Sequence, residues 1–353
     1  MAWSTQINEK LERYKAFYND PKPGQVLITI PPYTFNIPAC PSLNPPKRDR
    51  LKETELIAED GVKWLRYFMD YTKDIDDDYI PDISPLYGIG LNSAYFSNAE
   101  VVDSGGTTWV EHVCHSLKDI DKLQVKTENP WMQYMLRFMK RACEMWEGDY
   151  AVSMLGAFAP SDMALALRGN DFFYELYDDE DMVDYFLDKC RDAIFALYNE
   201  LKPYQMAPED GFVAGGLWIP GTGMFLSEDA ADLCSPEIYN RFFKPQTQKL
   251  INQIGGAYIH HHAKGWQIHK EISSLKSLRF LEFSWDPNCP RPIDNLDELL
   301  ELSLAVPLQT RCTLTDLKKY APLFKEGRIA LMVNVDTLDE AKEAVRIVRK
   351  VWT

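Results

Sequence analysis

The chain has 353 residues, 46% of them hydrophobic and 26% charged, with a formal net charge of −15 at pH 7. That size and composition fit an ordered globular protein of one large domain or two ordinary ones, and the acidic balance argues against nucleic acid or an anionic membrane surface as a partner. The seven cysteines stand singly with no Cys-x-x-Cys pair, and the polar start MAWSTQINEKLERYK has no signal-like apolar stretch. No run approaches the roughly 18 apolar residues of a membrane span, so the expected location is the cytoplasm, with free thiols.

Ser4 is placed to cap a first helix that runs to about Asn19 and is broken by Pro21-Lys22-Pro23-Gly24. Val26–Ile30 reads as a short buried strand, closed by Pro31-Pro32 and followed by a proline-rich stretch to Pro46. Leu56, Ile57, Val62, Leu65, Phe68 and Met69 recur at helical spacing and predict a helix over about Lys52–Thr72. The acidic cluster Asp74–Asp78 reads as a solvated helix end. Ile80–Tyr87 reads as a strand that leaves Asp82, Ser84 and Tyr87 near a loop. Thr107–Leu117 alternates as a strand and carries His112 and Cys114 on one face, a rival metal pair by ligand spacing.

From Asn129 onward helices and strands alternate. The sequence predicts helix Pro130–Glu147, strand Tyr150–Gly156, and a helical stretch from Ser161-Asp162 to about Leu201 that is interrupted near Arg168–Asn170. Strand Gly211–Ile219 ends in the loop PGTGMFLSED, and Ser235-Pro236-Glu237 opens a helix to about Ile254 with serine at the cap and proline in the first position. After AYIHHHAKG, residues 257–265, come helix Trp266–Leu275, strand Arg279–Ser284, helix Leu296–Leu304, strand Pro307–Cys312, helix Leu314–Lys325, strand Arg328–Val333 and helix Leu338–Val351. Such alternation predicts parallel α/β architecture, and no GxGxxG or GxxxxGK[ST] supports a nucleotide-binding form of it. The strand number suits a (β/α)8 TIM-type barrel, residues 51–353, with an N-terminal helical extension, residues 1–50. In that fold the active site sits at the carboxyl ends of the strands, which collects Asp82, Ser84, Gly156, Trp218, His260, His262, Glu282, Cys312 and Asn334.

The histidine run carries the sharpest chemistry. In an extended strand His260 and His262 project to one face and His261 to the other, and two imidazoles side by side hold a metal if a third ligand lies near. Glu228 and Asp229 either cap the short helix that follows them or orient a metal histidine.

GLWIPGTGMFLSEDAADLCSPEIYNRFFKPQTQKLINQIGGAYIHHHAKG resembles the uroporphyrinogen decarboxylase superfamily, as do PDISPLYGIG, ALRGNDFFYELYDDEDMVDYFLDKC and VDTLDEAKEAVRIVRK, in order from about residue 50. That family holds cofactor-free porphyrinogen decarboxylases and zinc-dependent methyltransferases that move methyl groups between a corrinoid protein and a thiol such as coenzyme M. The likeness is closer to the methyltransferase branch, which typically carries His-x-Cys at the end of this strand and a further cysteine near the last one. Here His260 takes the histidine position and His262 the cysteine position, and the last strand, ALMVNV, offers no cysteine. The decarboxylase branch carries an early arginine cluster, whereas Arg48 and Arg50 here follow a proline-rich loop and read as solvated.

The resemblance implies a methyltransferase-like enzyme with zinc held by His260 and His262 and completed by Glu282 or Cys312, and with a corrinoid of the methylcobalamin type carried by a partner protein. His260, Glu282 and Asp82 are the expected catalytic groups, and Tyr87, Trp218, Asp229 and Trp285 the expected substrate-binding ones. Two alternatives remain open: a metal-assisted lyase or decarboxylase acting on a small acid, and a non-catalytic corrinoid- or tetrapyrrole-binding protein.

Overall fold

The computed structural model describes residues 2–35, 48–85, 88–97, 99–103, 108–154 and 156–352, so Tyr87 lies outside the described residues. Among the described residues nine strands form the centre: β1 (Gln25–Thr29), β2 (Asp82–Ile83), β3 (Ala151–Val152), β4 (Ala157–Phe158), β5 (Met224–Ser227), β6 (Ala257–His262), β7 (Leu278–Ser284), β8 (Leu308–Thr313) and β9 (Arg328–Asn334). Seven of them make one parallel sheet in the order β1-β9-β8-β7-β6-β5-β4, and β2 pairs in parallel with β3. Helices flank the sheet, as parallel strands buried on both faces require. The result is an α/β fold compatible with a TIM-type barrel, although among the described residues the ladder closes neither between β1 and β2 nor between β3 and β4.

Carboxylates span the first of these gaps. Asp78 Oδ2 accepts the Ile28 N–H at 2.8 Å and Asp77 Oδ2 the Ile30 N–H at 2.9 Å, while the Asp78 N–H donates to Ile28 O at 2.7 Å. Asp78 also takes Arg13 from the first helix at 2.5 Å and both terminal nitrogens of Arg349 from the last helix at 2.9 Å, and Lys10 reaches Asp77 at 2.7 Å. The expectation of a solvated acidic end is corrected here: Asp77 and Asp78 are buried, while the residue just before them, Asp76, is open to water. Composition does not separate the two cases, because both are aspartates in one run.

The first helix, Thr5–Asn19, is capped by Ser4, whose Oγ accepts from the Ile7 N–H at 3.3 Å. Its buried face, Ile7, Leu11, Tyr14 and Phe17, packs against Leu27, Ala151, Tyr258, Phe280 and Ala330 from the strands and Ile80 just before β2. The hairpin Gly211–Ala214/Leu217–Pro220 joins this cluster. Residues 211–219 therefore do not supply a central strand, and Trp218 is not at a strand end facing the site. The Gly215-Gly216 pair, with φ of 58° and 75°, turns the chain back as a two-residue hairpin. The central strand is β5, inside the segment read as a loop.

Side-chain contacts leave no space at the hairpin tip. A Cβ at Gly215 would stand 2.5 Å from Tyr258 Oη and 2.7 Å from Gln309 Oε1. Gly215→Val is expected to destabilise the protein by about 2 kcal/mol or more, from left-handed backbone strain plus displacement of Tyr258. Urea unfolding checks this, and a change below about 0.5 kcal/mol would contradict it.

Among the described residues of the expected strand Thr107–Leu117, Thr108–Val110 pairs, in an antiparallel ladder with Val101–Asp103. Among the described residues no helix is long and apolar enough to cross a membrane.

Candidate metal centre

On β6 the side chains alternate as an extended strand demands. Tyr258, His260 and His262 face the interior, and Ala257, Ile259 and His261 face the helices. The parallel register sets His260 beside Ser227 of β5 and Glu282 of β7, and His262 beside Ser284. His261 is fully buried behind the strand, stacked on Phe283 at 4.5 Å, with Nε2 2.8 Å from His269 Nδ1. Burial lowers its pKa to about 3, and it stays neutral.

The two inward imidazoles meet edge to face, with His260 Nε2 3.0 Å from His262 Nε2. Each ring is fixed from behind by a carboxylate: His260 Nδ1–H donates to Glu282 Oε2 at 2.7 Å, and His262 Nδ1–H donates to Asp286 Oδ1 at 2.8 Å. Both carboxylates are buried acceptors, so each ring presents Nε2 forward. Glu282 is anchored in turn by the Tyr258 hydroxyl at 2.9 Å, and Asp286 Oδ2 accepts the Lys264 N–H at 3.2 Å. Burial opposes charge on both members of the first pair, but their mutual attraction prevails. Glu282 falls to about 2 and His260 rises to about 9.

Asp229 completes a triangle. Its Oδ1 lies 3.6 Å from His262 Nε2 and 4.0 Å from His260 Nε2. That oxygen is buried and has no hydrogen-bond partner among the described residues. A single proton on His260 can bridge the two nitrogens, yet it leaves Asp229 Oδ1 unsatisfied. A cation at the centre of the triangle satisfies all three, and among the described residues this is the only grouping of three such ligand atoms.

The loop that carries Asp229 is built for this placement. The Asp229 and Ala230 N–H groups donate to Asp162 at 3.0 and 2.6 Å, in the first turn of helix Pro160–Arg168. The Glu228 N–H donates to His260 O at 2.9 Å, continuing the β5–β6 pairing. The Glu228 side chain turns away, accepts from Ser161 Oγ at 3.1 Å and Thr247 Oγ1 at 3.0 Å, and is pushed by burial to about 7.

The other expected residues fall in three places. Glu282 is in the cluster, behind His260 rather than at the third corner. Trp285 stands half exposed at the rim, next to Asp286 and with its indole N–H on Cys289 O at 3.0 Å. Asp82, on β2, accepts a short hydrogen bond from Ser153 Oγ, and burial raises its carboxyl to about 6. Among the described residues it makes no hydrogen bond to the histidines.

Trp218 is buried in the hairpin with its indole N–H on Pro208 O at 2.8 Å. Cys312 is likewise not brought to the cluster. Gln309 faces inward, hydrogen-bonded with Tyr258, so strand alternation sends Cys312 outward among Phe283, Ile293 and Leu317, where burial raises its thiol. The rival pair separates too: Cys114 is buried, pushed up to about 11, while His112 is exposed with Nδ1–H on Ala166 O at 3.1 Å. Cys312→Ser is expected to leave bound metal unchanged on elemental analysis; loss of the metal would return Cys312 to the ligand set.

No family model matches the chain, and no curated protein sequence matches it. Its structure is similar to that of a methyltransferase from Methanosarcina mazei, with a TM-score of 0.64 over 98% of this chain and 99% of that one, at 14% identity. At that identity the likeness defines the fold.

Proposed function

We propose that the chain is a methyltransferase-like enzyme on a (β/α)8 barrel of the uroporphyrinogen decarboxylase superfamily, moving a methyl group between a corrinoid carried by a partner and a small acceptor. A divalent cation, zinc by donor type, would be held by His260 Nε2, His262 Nε2 and Asp229 Oδ1. The convergence of these three atoms, with Asp229 Oδ1 left unpartnered, carries the metal reading. Sequence motifs and the likeness in fold to a methyltransferase support the reaction class.

Bound there, the cation would supply Lewis acidity, lowering the pKa of an acceptor heteroatom. Glu282 and Asp286 hold the two tautomers and orientations, and Tyr258 holds Glu282. Asp82, raised to about 6, is suited to take or give a proton at its carboxylate near neutral pH. The all-nitrogen-and-oxygen donor set, with Cys312 turned outward, favours a metal-assisted lyase as the second reading.

Methyl transfer from methylcobalamin to a panel of thiols, phenols and amines tests the first reading. Methylated product that disappears in His260→Ala supports it. Carbon dioxide release from small acids without any methyl transfer would transfer the assignment to the lyase.

The pKa of about 9 at His260 gives a pH dependence with a definite sign. Below that value a metal must displace a proton from His260, so affinity climbs about tenfold per pH unit from neutrality and levels off above about 9. Competitive zinc titration at several pH values checks the slope, and a flat profile would contradict it.

A further inference from the structure

A groove opens beside the candidate centre and shares Asp229 with it. Its volume is about 450 Å³, and its walls include Ile89, Trp109, Val110, Phe158, Leu165 and Leu233. That volume lies in the range of small-molecule sites, roughly 300–1,000 Å³. Ile89, Trp109 and Leu233 are 51%, 44% and 67% exposed, an unusual concentration of open apolar surface around one concavity.

Charge narrows what can enter. Among the described residues the lining holds no lysine or arginine; its titratable groups are Glu111, His112, Asp162 and Asp229. Burial raises the Asp162 carboxyl well above its usual range and its oxygens are spent on two backbone N–H groups, and Asp229 faces the histidines, so neither offers a free counter-charge to a cation.

From these features we infer that the acceptor is an uncharged small aromatic molecule. Its ring lies in the groove against Trp109, its oxygen or nitrogen reaches the centre beside Asp229, and a sulfonate finds no lysine or arginine to pair with among the described lining residues. The inference rests on the metal reading above and extends it to a substrate class. A nitrogen and oxygen donor set matches such a heteroatom better than it matches a thiolate.

Calorimetric titration of the zinc-loaded full chain with 4-methylphenol, tetramethylammonium and 2-mercaptoethanesulfonate tests it. The phenol is expected to bind most tightly. Trp109→Ala and, separately, Leu233→Glu are expected to weaken it at least tenfold with zinc content unchanged. Binding that persists, more weakly, in metal-free Asp229→Ala separates the groove from the metal reading, so the groove survives even if no zinc is found. Tighter binding of the sulfonate or the ammonium, or unchanged phenol affinity in both variants, would overturn the inference.

Discussion

Asp229→Ala is expected to abolish stable zinc binding at neutral pH while the protein stays folded. The side chain is 43% exposed and makes no hydrogen bond that the fold depends on; the loop is held by the backbone N–H groups of residues 229 and 230 on Asp162. If the roughly 10–16 kcal/mol of a four-ligand structural zinc is shared evenly, one ligand is worth about 3–4 kcal/mol, on the order of 10²–10³ in affinity. Glu282→Gln, which weakens only the support of one ring, is expected to cost less, about 10–100-fold. Zinc affinity measured by chelator competition ranks the two. Equal affinity in wild type and Asp229→Ala would remove the aspartate from the ligand set.

The second large effect is on the fold. Asp78→Ala is expected to destabilise the protein by about 3–5 kcal/mol. One buried carboxylate there accepts from Arg13, Arg349 and the Ile28 N–H, joining the first helix, the last helix and β1. Its removal leaves two cations and a backbone donor without their partner, and the cost of each orphaned group is what makes the loss large. Asp76→Ala serves as the control: its carboxylate is 70% exposed, and the pairing with Arg13 is screened by water, so a change within about 1 kcal/mol is expected. Urea unfolding of both variants decides, and similar small losses would contradict the role given to Asp78.

Much of the architecture was legible because periodicity is a local property. The β6 alternation that turns His260 and His262 to one face, the Ser4 cap and the closing strands β7 to β9 follow from residues a few positions apart. What escaped the sequence depended on partners far along the chain. The third corner, Asp229, is one of these, because nothing local says that Asp162, 67 positions earlier, pins its loop toward β6. Asp286, 24 positions beyond His262, carries no signature that distinguishes it from other rim acids. Cys312 entered the candidate set on its strand position, although the same alternation applied to β8, with Gln309 inward, turns it toward the helices. The Gly215-Gly216 doublet is the local signal that folds Trp218 back into a hairpin, away from the strand ends.

X-ray absorption at the zinc edge of zinc-loaded wild-type protein tests the central claim most directly. The account predicts nitrogen and oxygen neighbours only, at about 2.0–2.2 Å, with imidazole scattering from two histidines that is lost in the His260→Ala/His262→Ala double variant. A sulfur neighbour at about 2.3 Å, or one zinc retained per chain in the double variant, would contradict it.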